Sequence, residues 1–119
     1  MTLGVDNLER ALNFYRSLGL HSPGIIGTEF PGDDETPAGA AAMFELGGGL
    51  ILSLYPRTEL AKDAGVPSPG MAEGGFSLGH LVSSRESVDA MLDLARQAGA
   101  RMFGEAHDRP WGIYSGYFA

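Results

Sequence analysis

The sequence predicts an α+β domain assembled from two copies of one strand–helix–strands unit. Two amphipathic helix patterns share apolar and stop positions, Leu12 matching Leu92 and Gly19 matching Gly99. A short apolar strand precedes each of them. The rest of the chain is cut into short segments by 18 glycines and 7 prolines, residues that mark turns because glycine takes positive φ cheaply and proline cannot donate to a ladder. At 119 residues the chain suffices for one hydrophobic core without staples.

Leu3-Gly4-Val5 reads as the first strand. A helix over 7–18 follows: Asp6 and Glu9 stand at capping-box spacing, Leu8, Leu12 and Tyr15 form a stripe with Ala11 and Leu18, and Gly19 is the stop. Strands are expected near 22–29, 40–46 and 50–56, the last two as a hairpin across Gly47-Gly48-Gly49. This first module ends near residue 56. Residues 57–75 link it to the second, with a helical turn within Arg57–Gly65 and a proline- and glycine-rich stretch over Val66–Gly75.

The second module, about 76–119, repeats the order. Leu78–Val82 reads as its strand, and a helix over 84–98 has Ser83 and Glu86 at capping-box spacing. Leu8, Ala11, Leu12, Tyr15 and Gly19 correspond to Val88, Met91, Leu92, Ala95 and Gly99, each 80 residues on. The preceding strands correspond at an offset of 77, so the second helix begins about one turn earlier. An internal duplication is a stronger signal than any single element. Strands near 101–104 and 111–118 complete the reading, and Ala119 falls one strand short of a full second unit.

Composition excludes several classes. The net charge of −7, from 15 acidic and 8 scattered basic residues, opposes nucleic acid and anionic membranes and suits a neutral or cationic ligand. With no cysteine, thiolate catalysis, disulfides and cysteine metal sites are out. No apolar run reaches a membrane span and none resembles a signal peptide, so the expected location is cytoplasmic.

Three stretches resemble the vicinal oxygen chelate superfamily, which includes glyoxalase I, bleomycin-resistance proteins and extradiol dioxygenases. They are Leu3 through Tyr15, where Asp6-Asn7-Leu8-Glu9-Arg10-Ala11 leads to Phe14-Tyr15, then Val82 through Gly99, then Trp111 through Phe118. The resemblance implies paired βαβββ modules curving into a cup, commonly in a homodimer. It also implies, for the enzymes, a divalent metal held by four His, Glu or Gln side chains. By position, the first ligand would precede Met1, the second falls within Leu50–Tyr55, where Ser53 is the small polar residue, the third falls at Ser77, and the fourth belongs to the last strand. Serine hydroxyls are poor metal ligands, so no metal is expected.

The expected ligand-binding residues are Ser53, Tyr55, Ser77, Phe103, Trp111 and Tyr114. An aromatic-lined concavity suits a flat or partly cationic ligand, although such residues, Tyr117 among them, also fill cores and dimer seams. His80 lies three residues past Ser77, and strand alternation turns it toward the helix layer, as a hydrogen-bonded histidine under a helix. His107 sits in the turn-like Glu105–Pro110 and reads as a solvated loop residue, and His21 as an ordinary cation near a helix end. Glu45 with Asp108 would make a general acid/base pair, a role no spacing supports. Gly47-Gly48-Gly49 lacks the Lys-Ser/Thr and the helix of a phosphate loop.

The reading that follows is a small-molecule binder with a cup and no catalytic metal. One alternative is a metal-dependent lyase, isomerase or dioxygenase whose outer ligands lie beyond this chain; another is an interaction domain with a filled cup. The open second module calls for completion by a homodimeric partner, including one that exchanges elements, or else by further chain.

Overall fold

The computed structural model describes residues 1–67 and 75–119. The elements run β1 (Thr2–Val5), α1 (Leu8–Ser17), β2 (Ile25–Ile26), β3 (Ala41–Gly47), β4 (Leu50–Pro56) and α2 (Arg57–Ala64). They continue with β5 (Phe76–Ser77), α3 (Arg85–Gln97), β6 (His107–Asp108) and β7 (Tyr114–Ser115). Five strands form one sheet in the order β2-β3-β4-β1-β5, and β6 and β7 form a second. β1 runs parallel to β4 and antiparallel to β5, so the two halves meet along the β1–β5 ladder.

Both helix patterns fold as read, each with its cap one residue further on. Asn7, not Asp6, accepts from the Arg10 N–H at 2.9 Å, and Ser84, not Ser83, accepts from the Ser87 N–H at 3.1 Å. Two cap-capable residues stand side by side at each start, and the backbone decides between them. Asp6 instead holds the Arg57 guanidinium at 3.1 Å. Gly19 (φ 94°) and Gly99 (φ 98°) end the helices with matching bonds: Leu20 N–H reaches Tyr15 O, and Ala100 N–H reaches Ala95 O. α1 has 10 residues and α3 has 13, the difference lying at the N-terminal end.

The β3–β4 hairpin sorts its side chains by parity. Ala42, Phe44, Leu52 and Leu54 face α1 and bury Leu12 among them, with Leu3, Val5, Leu8, Ala11, Tyr15 and Leu20 packed around the edge. Full burial of a side chain such as Phe44 or Leu54 stabilises the fold by about 1.5–3 kcal/mol. Ala41, Met43, Glu45, Ile51, Ser53 and Tyr55 fall on the opposite face. Part of the expected linker closes one end of that face: α2 packs Leu60 against Ala41 and Tyr55, with Ala61 and Ala64 also buried. The Val66–Gly75 stretch lies largely outside the described residues.

Several expected strands are shorter or displaced. The strand near 22–29 contracts to Ile25–Ile26, where Gly24 and Gly27 on either side take positive φ and end the ladder. The strand expected at Leu78–Val82 is replaced by Phe76–Ser77. Residues 78–82 carry no ladder among the described residues, because the antiparallel register that sets Ser77 opposite Thr2 passes the end of β1 there. Residues 101–119 form one irregular hairpin rather than two regular strands. Met102 bridges Phe118, His107–Asp108 pairs with Tyr114–Ser115, and the turn falls at Pro110–Gly112.

Candidate functional site

Register across the five-stranded sheet places four side chains in one row. Met43 is opposite Ser53, Ser53 opposite Thr2, and Thr2 opposite Ser77. Directly paired residues share a face, so Met43, Ser53, Thr2 and Ser77 line the side away from α1. With strands about 4.8 Å apart, Ser53 and Ser77 flank Thr2 at a Cα separation of roughly 10 Å. The two serines come from strands that sequence reading kept in separate modules. Thr2 was not foreseen, since only the β1 register reveals that it stands between them.

All three hydroxyl residues are half-buried, while Met43 and Ile51 are more open at 41% and 44% exposure. Glu45 lies on the same face, opposite Ile51. The row can donate and accept hydrogen bonds and can cover apolar surface. Among the described residues no histidine stands in register with Ser53 or Ser77. Among the described residues no three His, Asp or Glu side chains gather into a metal-holding group.

Tyr55 is on this face but covered. Its ring lies under α2, and its hydroxyl donates to the Ala38 carbonyl. Burial, helped by the nearby Asp63 and Glu59 carboxylates, raises its pKa above the ordinary tyrosine value and keeps it protonated. The other expected residues ride on the 101–119 hairpin and disperse. The Phe103 ring carries the Arg101 guanidinium 5.0 Å above it. The Trp111 ring meets Phe30 edge-on at 6.1 Å. Tyr114 turns toward α3, donating to Asp89 at 2.7 Å with Arg85 over its ring.

His80 is exposed between β5 and α3 and lies under no helix, because the strand that would have oriented it does not form there. His107 is in β6 rather than a turn. Its Nδ1 meets the Glu105 carbonyl at 3.1 Å and its Nε2 meets Arg109 Nη1 at 2.7 Å. Asp108 pairs with Arg85 in the smaller sheet, apart from Glu45 in the larger, so the two acids are not a catalytic pair. His21 is exposed four residues past the end of α1.

Sequence reading gave Arg109 no role, yet it is the buried charged residue among those described, at 6% exposure. Its Nε donates to Ser115 Oγ at 2.9 Å, and its Nη1 lies 3.4 Å from Asp63 Oδ1. Tyr117 donates to the other Asp63 oxygen, and burial, then the Asp63 charge, raises the Tyr117 pKa. A concavity of about 370 Å³ borders this cluster, lined by Glu35, Thr36 and Lys62 on one side and by His107, Asp108 and Arg109 on the other. Another, of about 420 Å³, lies between β1 and α1, lined in part by Asp6, Arg10, Phe14 and Arg57. Neither is lined by Ser53, Thr2 or Ser77.

Several solved structures resemble the chain, among them the following two. A glyoxalase-related enzyme from Fulvimarina pelagi is 22% identical, covering 100% of this chain and 76% of that one, with a TM-score of 0.42. A glyoxalase/bleomycin resistance protein/dioxygenase from Nocardioides is 25% identical, covering 100% of this chain and 72% of that one, with a TM-score of 0.41. No curated protein matches. The decisive comparison is at the level of sequence families. The model of the Glyoxalase/Bleomycin resistance protein/Dioxygenase superfamily matches residues 1–119, and it is to this superfamily that the chain belongs.

Proposed function

We propose that this chain binds a small organic molecule on the sheet face away from α1, without a divalent metal. The observation that carries the reading is the register of Ser53, Thr2 and Ser77, which sets three hydroxyls in a row beside the apolar Met43. The hydroxyls orient the ligand by hydrogen bonds, and Met43 and Ile51 supply apolar contact. Hydroxyl oxygens alone do not fit a resident Zn²⁺, Mn²⁺, Ni²⁺ or Fe²⁺, which needs several basic N or O donors.

The test pairs a ligand thermal-shift panel with elemental analysis of the purified protein. A binder should raise the melting temperature of the native chain and fail to raise that of Ser53→Leu, which fills the row with an apolar side chain. Stoichiometric metal held by Glu45, His80 or His107, lost on substituting those residues, would overturn the reading.

The same proposal includes a homodimer. Phe76, Leu78 and Leu81 are 54%, 76% and 93% exposed, and the outer edge of β5 has no partner among the described residues. Apolar surface beside an open strand edge is normally covered. Sedimentation of the dilute protein decides it. A monomer at micromolar concentration would remove the dimer and leave the ligand site standing.

A further inference from the structure

We infer that α3 and the 101–119 hairpin form one leaf, hinged at residues 78–83 and latched to the first module by Asp63, Arg109 and Tyr117. The leaf is held together from within. Arg101 and Ala119 exchange both backbone hydrogen bonds, at 2.8 and 2.9 Å, and Phe103 N–H donates to Tyr117 O at 3.1 Å. Asp108 pairs with Arg85, Tyr114 donates to Asp89, and the Leu92 side chain packs against Gly116, all between the hairpin and α3. Among the described residues no backbone hydrogen bond joins this leaf to the five-stranded sheet.

The connection to β5 is correspondingly loose. Residues 78–83 make no backbone hydrogen bonds among the described residues, and Leu78 and Leu81 stand open to solvent. Across the seam, Trp111 meets Phe30 edge-on, and the polar ties converge on one residue of α2. Tyr117 donates to Asp63 Oδ2, Arg109 Nη1 donates to the Asp63 carbonyl at 3.2 Å, and the same nitrogen is 3.4 Å from Asp63 Oδ1. That last oxygen is buried with no hydrogen bond, so charge rather than aligned geometry holds it. A buried pair of this kind fixes a position but resists opening less than its charges suggest, because desolvation offsets much of the attraction. The concavity of about 370 Å³ spans the seam, with Lys62 on the first module and His107 on the leaf, so release of the latch would open it.

Local opening of this kind is read by amide hydrogen exchange of the ligand-free full chain, which leaves the outcome independent of the ligand site. In the native protein, peptides within 101–119 should exchange faster than those within 41–56. Asp63→Asn keeps the side-chain volume and leaves Arg109 without its counter-charge. It should accelerate exchange in 101–119 at least tenfold while changing 41–56 less than twofold. Tyr117→Phe, a milder change, should accelerate the same peptides a few-fold and leave 41–56 alone. Equal acceleration of both regions would show a single cooperative unit and sink the proposal, as would no acceleration in either variant. If Asp63→Asn fails to fold, Tyr117→Phe decides by the same criterion.

Discussion

The two helices of this chain are close copies resting on unlike floors. α1 and α3 begin at a polar cap, end at a positive-φ glycine, and each buries a single leucine, Leu12 or Leu92. Beneath Leu12 lie Ala42, Phe44, Leu52 and Leu54 of a four-strand module. Beneath Leu92 lies a two-stranded hairpin that approaches it at Gly116. A helix pattern is satisfied within about a dozen residues, whereas a core depends on which strands arrive beneath it. Repetition of the first does not guarantee repetition of the second.

The contrast breaks if the two leucines matter equally. Leu12→Ala should cost about 2–4 kcal/mol by urea unfolding, as in a well-packed core. Leu92→Ala should cost about half as much, because fewer strands close over it. An equal or larger loss at Leu92 would mean that its floor is completed in solution by something outside the described residues, the homodimer proposed above being the first candidate.

Gly116 sharpens the point from the other side. A Cβ there would lie 2.7 Å from Leu92 Cδ1. Gly116→Ala should therefore destabilise by about 1 kcal/mol, a flexible side-chain tip being able to shift aside. Combined with Leu92→Ala, the penalty should shrink, and a double-mutant cycle by urea unfolding measures the coupling. Strict additivity would place Leu92 elsewhere.

The caps test the half of the comparison in which the modules agree. Asn7→Ala and Ser84→Ala should each cost about 1 kcal/mol, since each removes one acceptor from a helix start. A loss on one side alone would show that capping depends on the module as well as on the helix. The smallest effect is expected from Arg85→Ala. Its ion pair with Asp108 is open to water on both sides, with side chains 58% and 59% exposed, so the urea midpoint should stay within error.

Much of the fold was legible in the chain. The helices, their glycine stops and the β3–β4 hairpin follow from hydrogen bonding and side-chain periodicity within short windows. That locality is why Leu12 and Leu92 could be matched before any strand was paired. The family followed from the same short motifs. The candidate site was legible only in part. Ser53 and Ser77 stood out by position, but Thr2 enters between them through a register set by ladders between residues some 50 to 75 apart in the chain.

Tertiary structure alone decided the remainder. Nothing local marks Asp63, Arg109 and Tyr117 as partners, because their pairing arises where α2 and the last hairpin meet, 46 and 54 residues apart. Nor could periodicity tell that Arg57–Ala64 is a packed helix rather than a linker, since Leu60 is buried by Ala41 and Tyr55 from the sheet beside it. The sequence by itself determined which segments coil and where they stop, for those are contests between neighbours along the chain. Which faces meet was settled by distant strands and buried charges, whose energies exist only once the chain has closed upon itself.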